Sequence, residues 1–237
     1  MKYRGRLVSV AIVALFNILR YFYYHQYLAI PFKANFFVLT TIFLAIAWWC
    51  GKQFDRVKYY SEKDPLTNTY NRFTVESYFQ KRKLRSQKDG ERLGIVLTDL
   101  DNFKQFNDTY GHHKGDELIV HIASVLNQFA GRKDLVVRWG GDEFIILVNN
   151  IDDDFQENYA SRLAKEIEDH TFNNDTPIKA SIGVAIYPTQ GTDFQELIQI
   201  ADREMYQAKG MKIANYQKSK RRSLDINKHE NTSFNVK

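Results

Sequence analysis

Two adjacent glycines mark the segment of this chain that is best suited to approach a phosphate. Gly140 and Gly141 lie between two apolar runs, residues 135–139 and 144–148, so they predict the tip of a β-hairpin. Glycine pairs suit primed two-residue turns, in which both central residues have positive φ. Because neither glycine has a Cβ atom, we predict a tight turn that another backbone or a triphosphate can reach.

Carboxylates occur at two points where they could share a divalent cation. Asp142 and Glu143 begin the returning strand, and strand alternation predicts that they point to opposite faces, so that only one shares a given site. Asp99 follows the apolar run 93–98, and pairing of the two strands would place it beside Asp142. Such oxygen ligands suit Mg²⁺ in a phosphoryl or nucleotidyl transfer site. We predict that the nearby Asp101 instead caps the next helix. A surface hairpin with solvated acids is the alternative interpretation.

The stretch 102–116 is rich in polar side chains that could hold a nucleotide. Lys104 offers a point charge to phosphate, and Asn107 and Asp116 supply the donor and acceptor groups needed to read a guanine. Gly111 predicts the end of one helix, and Asp116 predicts the start of the next. A solvated helix-loop-helix without a ligand is the alternative.

Five motifs in a fixed order make the chain similar to one known family. They are Asp64-Pro65-Leu66-Thr67 with Asn71-Arg72, the run from Asp99 to Asp116, Arg138 to Phe144, Ser181 to Ala185, and Ala201 to Lys209. Over residues 62–212 the chain resembles the GGDEF-domain diguanylate cyclases. The resemblance implies that two GTP molecules condense to cyclic di-GMP with release of two pyrophosphates. It also implies a head-to-head homodimer through the catalytic domain, with one GTP in each domain.

The resemblance assigns metal and catalytic roles to four positions. It implies that the carboxylates of Asp99 and Asp142 and the backbone carbonyl of Leu100 bind Mg²⁺ or Mn²⁺. Asp142 also matches the position of the general base that helps to deprotonate the attacking ribose 3′-hydroxyl. Lys104 resembles the residue that stabilises charge on the transferring phosphate.

The resemblance further implies a set of contacts with the GTP substrate. These substrate-binding residues are Asn107, His112, Asp116, Lys209, Gly140 and Gly141. Within this set, Asn107 and Asp116 match the guanine edge, and Lys209 matches a lysine at the triphosphate tail. Asp116 is intact here, which favours GTP over an adenine nucleotide.

Two departures from the family pattern concern activity and regulation. The family's phosphate-binding arginine falls near Ile213, where only Lys212 could substitute, without the bidentate fork of arginine. The family's product-inhibition site is an Arg-x-x-Asp in which Asp134 is present here, but the arginine position is Gly131 and Arg132 is out of register. We therefore predict weak or absent feedback inhibition. The alternative function is a catalytically silent GGDEF-like domain that binds GTP or cyclic di-GMP as a receptor or interaction module.

Two apolar runs in the N-terminal quarter predict a two-helix transmembrane hairpin. Residues 7–24 form the first run, interrupted by Asn17 and Arg20, and residues 36–50 form the second, which carries no charge. A bilayer core of about 30 Å requires roughly 20 apolar residues in a helix. We expect Arg20 to snorkel toward the interface, beside an aromatic belt of tyrosines. A cleaved signal peptide is the alternative.

Basic residues flank the apolar runs on the sides away from the connecting turn. They are Lys2, Arg4 and Arg6 before the first run, and Lys52, Arg56, Lys58 and Lys63 after the second. Both termini are therefore expected on the cytoplasmic side of the cell membrane, where GTP is available. The net charge of +5 does not require nucleic-acid binding. The single cysteine, Cys50, excludes an internal disulfide.

The sequence predicts four segments and an α+β fold. The segments are a transmembrane anchor over residues 1–50, a linker helix over 51–63, the GGDEF catalytic domain over 64–215 and a disordered tail over 216–237. Helical patterns cover about 71–85, 116–129, 155–169 and 194–208, and strands are expected near 93–98, 135–139, 144–148 and 179–186. The family resemblance implies that these strands form a central, mostly antiparallel sheet flanked by helices, as in nucleotidyl cyclases and polymerase palms.

Overall fold

The computed structural model describes residues 3–30, 34–172 and 177–211, except for the side chain of Glu157. The chain divides into two compact units, Met1–Lys63 and Asp64–Lys237. The predicted tail over residues 216–237 lies outside the described residues, and so do Ile213 and Lys212.

The first unit consists of two helices. Helix α1 spans Arg4–Tyr21 and continues as a π-helical segment at Phe22–Tyr27, and helix α2 spans Ala34–Glu62 without a break at residue 50. By length and composition, both are apolar enough to cross a membrane, and few residues of either apolar stretch are buried within the structure. The helices therefore differ from the core helices of a soluble protein, which bury such residues.

The two helices approach each other closely at Gly5 and Gly51. A Cβ atom on Gly51 would lie 2.5 Å from the Cα atom of Arg6, so a larger residue does not fit there. The Asp55 carboxylate accepts a hydrogen bond from the Gly5 N–H at 2.7 Å and forms an ion pair with Arg6 at 3.5 Å. Helix α2 thus caps the first turn of α1, whose N–H groups lack helical partners.

Arg20 contacts α2 through hydrogen bonds and a ring contact. Its Nη2 atom donates to Thr40 Oγ1 at 2.7 Å and to the Phe36 carbonyl at 3.3 Å. Its guanidinium carbon also lies 4.2 Å from the centroid of the Phe36 ring. A guanidinium between apolar helices requires hydrogen-bond acceptors, and the neighbouring helix supplies them.

The second unit is built on a five-stranded sheet. The strands are β1 Tyr70–Asn71, β2 Leu93–Leu100, β3 Leu135–Arg138, β4 Glu143–Asn149 and β5 Ala180–Tyr187. Their order is β1-β3-β4-β2-β5, in which β1 and β3 are parallel and the other three neighbouring pairs are antiparallel. This mostly antiparallel sheet confirms the predicted fold class.

Helices cover both faces of the sheet. They are α3 Arg72–Asp89, α4 Phe103–Tyr110, α5 His112–Phe129, α6 Phe155–Asp169 and a helix α7 described over residues 194–211. Val96 and Ile146 pack in a core with α5 and α6, whereas Ile95 and Ile145 pack in a second core with α3 and α7. Strands β2 and β4 are apolar on both faces because each face is covered.

Three local features differ from the sequence predictions. Helix α5 begins at His112, four residues before the expected start at Asp116, because Gly111 with φ of 84° ends α4 and precedes α5 directly. The N-cap position of α4 is Asn102 rather than Asp101, and Asp101 accepts a hydrogen bond from the Ser181 hydroxyl at 2.6 Å. Strand β1 was not expected, because two residues carry no periodicity.

Candidate active site

Neighbouring ends of β2 and β4 bring carboxylates together. Asp99 pairs in register with Glu143, and the N–H of Leu100 donates to the carbonyl of Asp142 at 3.3 Å. The strand pairing thus places Asp99 and Asp142 at the same end of the sheet, as expected from the sequence.

The carboxyl groups of Asp142 and Glu143 both have perturbed pKa values. Burial raises the pKa of Asp142 above its usual range, and the negative charge of Asp99 raises it further. Burial also raises the pKa of Glu143, with further contributions from the charges of Asp99, Asp142 and Asp202. Raised carboxyl pKa values of this kind indicate negative charge that is only partly compensated.

The strand alternation from which we expected Asp142 and Glu143 to point to opposite faces does not extend to Asp142. Strand β4 begins at Glu143, so Asp142 belongs to the preceding loop, where strand alternation does not apply. Both carboxylates therefore lie within the electrostatic influence of Asp99. Glu143 and Asp202 were not identified as site residues from the sequence, although Glu143 stands within the matched hairpin motif.

A lysine from α7 provides the positive charge at this cluster. The Nζ atom of Lys209 lies 2.6 Å from Oδ1 of Asp99. Burial lowers the pKa of Lys209, but the hydrogen bond and charge of Asp99 outweigh this effect, so the pKa lies above its usual value. Lys209 was expected at the triphosphate tail, and in the structure its ammonium group neutralises a predicted metal ligand.

Gly183 allows α7 to approach the sheet closely enough for this contact. A Cβ atom at Gly183 would lie 1.9 Å from the Ala201 carbonyl oxygen and 2.5 Å from the Met205 nitrogen. Both neighbouring atoms belong to the backbone, so they cannot rotate away. The glycine therefore sets the distance between β5 and α7, and with it the position of Lys209.

Arg138 holds the hairpin loop to the start of the second unit. Its Nη1 atom donates to Asp64 Oδ1 at 3.2 Å, and its Nη2 atom donates to the Gly141 carbonyl at 2.9 Å. Burial raises the pKa of Asp64, but hydrogen bonds from Thr67 and the charge of Arg138 lower it below its usual range. The sequence placed both residues in matched motifs without predicting that they contact each other.

The hairpin loop is longer than the predicted two-residue turn. It comprises residues 139–142, and the N–H groups of Trp139 and Gly140 both donate to the Glu143 carbonyl. Neither Gly140 nor Gly141 has a positive φ in the left-handed region, so the expected primed turn is wrong. A Cβ atom at Gly141 would meet nothing within 4 Å, which leaves open space at this point of the loop.

The four predicted residues of α4 and α5 lie on a tightly packed helix pair. Lys104, His112 and Asp116 are exposed, and Asn107 is partly buried. The Asn107 Oδ1 atom has no hydrogen-bond partner in the described part of the chain. A Cβ atom at Gly115 would lie 1.8 Å from this oxygen, so Gly115 sets where the Asn107 amide lies. A glycine inside a helix, where it is normally unfavourable, was the signal for this role.

The donor atoms at the strand ends suit a magnesium or manganese ion. No group of three or more histidine, cysteine or acidic side chains forms a metal cage among the described residues. Mg²⁺ usually takes only one or two carboxylates and completes its shell with waters and substrate phosphates. The only partly compensated negative charge at Asp142 and Glu143, together with the ion pair between Lys209 and Asp99, indicates that this point favours cations.

Comparisons with known proteins match this arrangement to a single family. The sequence pattern described as diguanylate cyclase, GGDEF domain, matches residues 61–213. The chain is 34% identical over 148 residues to the bifunctional diguanylate cyclase/cyclic di-GMP phosphodiesterase MucR of Pseudomonas aeruginosa, covering 62% of this chain and 22% of MucR. It is 32% identical over 150 residues to the diguanylate cyclase DosC of Escherichia coli, covering 62% of this chain and 32% of DosC. The chain thus spans only a minor part of these relatives.

Solved structures show the same fold. A sensory box/GGDEF family protein from Caulobacter crescentus matches with a TM-score of 0.59 and 32% identity, covering 63% of this chain and 99% of that protein. The GGDEF domain of DgcB from Caulobacter crescentus, solved in complex with c-di-GMP, matches with a TM-score of 0.58 and 26% identity, covering 63% of this chain and 88% of that one.

Proposed function

Because the chain belongs to the family of GGDEF-domain diguanylate cyclases, we propose that it is an active member that condenses two GTP molecules to cyclic di-GMP and two pyrophosphates. The observation that carries this proposal is the charge cluster at the ends of β2 and β4. Asp99 and Asp142 lie there with a lysine close by, and Asp142 holds its proton more strongly than an ordinary aspartate. Such perturbed groups are typical of catalytic sites.

In this proposal, residues of the chain bind the nucleotide and transfer a proton. The Asp142 carboxylate accepts the proton of the ribose 3′-hydroxyl, whose oxygen forms a bond to the α-phosphorus of the second GTP as pyrophosphate leaves. Asp99, Asp142 and the Leu100 carbonyl would hold Mg²⁺ or Mn²⁺, which supplies Lewis-acid stabilisation of the phosphate charge when bound. Lys104 stabilises the same negative charge.

The remaining predicted residues are assigned to nucleotide binding. Asn107 and Asp116 read the guanine edge, and His112 adds a contact from the start of α5. Gly140 and Gly141 provide room for the phosphates, which agrees with the open space at Gly141. Lys209, which forms an ion pair with Asp99 in the structure, would be available to bind the triphosphate tail if a divalent cation compensated the carboxylates instead.

Two further features of the proposal concern assembly and location. Each domain holds one GTP, so both halves of the product require a homodimer in which two sites face each other. The helices α1 and α2 anchor the chain in the cell membrane, with both termini on the cytoplasmic side and the catalytic domain beginning near residue 64. The apolar, exposed surface of both helices supports this placement.

A product assay on the full-length chain in detergent or lipid tests the proposed activity. Purified protein incubated with GTP and Mg²⁺ is expected to form cyclic di-GMP, and the Asp142→Ala variant is expected to lose at least about 100-fold in rate. Asp152→Ala, which removes an exposed acid after β4, is the matched control and should retain activity. Binding of GTP or cyclic di-GMP with no product from either the native chain or the control would instead show a silent binding module.

A further inference from the structure

The outward face of α3 carries a stripe of exposed apolar and basic side chains. Phe73 and Leu84 are 78% and 69% exposed. We define the α3 stripe as Phe73, Ser77, Lys81, Leu84 and Lys88, which are all exposed and follow each other at intervals of three or four residues. This spacing places them along one side of the helix.

The opposite side of α3 explains why the stripe faces outward. Val75 and Phe79 are completely buried in the core between the sheet and α7, and Ser86 is buried as well. Core packing therefore fixes the rotation of α3 about its axis. Phe73 and Leu84 contribute nothing to that core, so folding of the domain does not explain their presence.

Positive charge surrounds the apolar residues of the stripe. Helix α3 contains two acidic residues, Glu76 and Asp89, and six basic residues, which are Arg72, Lys81, Arg82, Lys83, Arg85 and Lys88. Arg82 also donates to the carbonyl of Lys133 at 3.0 Å, which brings the basic pair Arg132 and Lys133 beside the helix. A helix face with exposed phenylalanine and leucine among lysines and arginines is suited to a negatively charged lipid surface.

We propose that the α3 stripe binds the surface of a membrane that contains anionic lipids. Lys81 and Lys88 of the stripe, together with the adjacent exposed Arg85, contact the lipid headgroups, and Phe73 and Leu84 enter the headgroup region. The inference rests on the proposed membrane anchoring, because α2 ends at Glu62 and α3 begins at Arg72. Residues 51–62 of α2 add about 18 Å of helix beyond the predicted span, and the connecting segment adds at most about 30 Å, so an anchored chain confines the start of α3 to within about 50 Å of the bilayer.

A fluorescent label on the stripe tests this inference in the full-length chain. The chain contains one cysteine, so Cys50→Ser combined with Ser77→Cys allows an environment-sensitive dye to be attached at a single stripe position. We expect its emission to shift to shorter wavelength in vesicles of mixed phosphatidylglycerol and phosphatidylcholine, but not in pure phosphatidylcholine. The shift should disappear in 1 M salt, where the Debye length is about 3 Å.

Charge-reversal variants distinguish membrane binding by the α3 stripe from a general attraction between a basic protein and anionic lipids. The triple variant Lys81→Glu, Arg85→Glu, Lys88→Glu should abolish the shift, and Phe73→Ser with Leu84→Ser should reduce it. The control Arg162→Glu, Lys165→Glu, Lys179→Glu makes the same change of charge at exposed positions on the other side of the sheet and should preserve it.

Flotation of the vesicles distinguishes the possible failures. Protein that floats with both vesicle types and shows the same emission in each would overturn the proposal that the α3 stripe binds anionic lipid. The proposed anchor and the proposed enzymatic activity would be unaffected by this result. Protein that floats with neither would overturn the anchor and the stripe together. The cyclic di-GMP assay is independent of both results.

Discussion

At the scale of single residues, the candidate site carries its own electrostatic strain. Asp142 lies half-buried beside Asp99, and its pKa is raised by burial and by that neighbouring charge. The folded chain therefore disfavours the ionised carboxylate that the proposed chemistry needs, in comparison with an ordinary aspartate. A site prepared for a divalent cation and a triphosphate is expected to have this property before they bind.

This strain predicts that Asp142→Asn stabilises the ligand-free protein while it removes activity. At neutral pH, we expect the free energy of unfolding to rise by up to about 1 kcal/mol, because solvent screens part of the repulsion at this half-buried position. The native chain holds the proton more strongly when folded, so its stability falls as pH rises from the ordinary value of 3.8 through the raised pKa. The advantage of Asn should vanish below that ordinary value.

Thermal unfolding by circular dichroism at several pH values measures this effect. The exposed Asp152→Asn is the matched control and should unfold like the native chain at every pH. A variant at Asp142 that is less stable than the native chain at neutral pH would contradict the electrostatic account.

At the scale of elements, two glycines control how helices approach the site. A Cβ atom at Gly183 would collide with backbone atoms of α7, whereas one at Gly115 would mainly meet the amide of the Asn107 side chain. Backbone atoms cannot yield without moving a whole helix, but a side chain can rotate. The two glycines should therefore respond differently to the same substitution.

We predict that Gly183→Ala mainly lowers stability and that Gly115→Ala mainly lowers affinity for GTP. The first should cost about 1–3 kcal/mol, as overpacking of a filled interior usually does. The second should raise KM for GTP about tenfold, since one lost hydrogen bond to the guanine corresponds to about 1.4 kcal/mol. Thermal unfolding and steady-state kinetics on both variants measure these effects, and a large loss of stability in Gly115→Ala with unchanged KM would refute the assignment of Asn107.

At the scale of the whole molecule, the positions that match the family's inhibitory site lead to a prediction about regulation. The carboxylate of Asp134 accepts hydrogen bonds from the N–H groups of Gly131 at 2.8 Å and Asn149 at 2.9 Å. The residue that matches the aspartate of an inhibitory site thus binds its own turn and the end of β4, and Gly131 stands at the arginine position.

We therefore predict that cyclic di-GMP slows the reaction weakly or not at all. Initial rates of product formation should change little when cyclic di-GMP is added, because the arginine position of the inhibitory site holds Gly131, which cannot bind phosphate through a guanidinium. Steeply falling rates would show that another basic group, such as Arg132, takes the missing role.

The proposed anchor gives a second prediction at this scale. The full-length chain should remain in the membrane fraction after extraction with alkaline carbonate, because α1 and α2 are held by burial of apolar surface rather than by charge. A variant that lacks residues 1–50 is expected to leave that fraction under the same treatment. Release of the full-length chain would argue against the transmembrane hairpin.

The sequence alone determined the main helices and strands and the residues whose side chains could take part in the chemistry. The central strands, the four longer helices of the second unit and the apolar N-terminal helices follow from periodicity among neighbouring residues, and this information is local. The proximity of Asp99 and Asp142 could also be inferred, because it requires only that two recognisable strands pair.

Only the tertiary structure decided how distant residues combine at the site. Lys209 contacts Asp99 across 110 residues of sequence, and Arg138 contacts Asp64 across 74 residues. These contacts depend on strand register, on the close approach of α7 at Gly183 and on the length of the hairpin loop. Each of these is set by packing between elements, and no local pattern of residues encodes it.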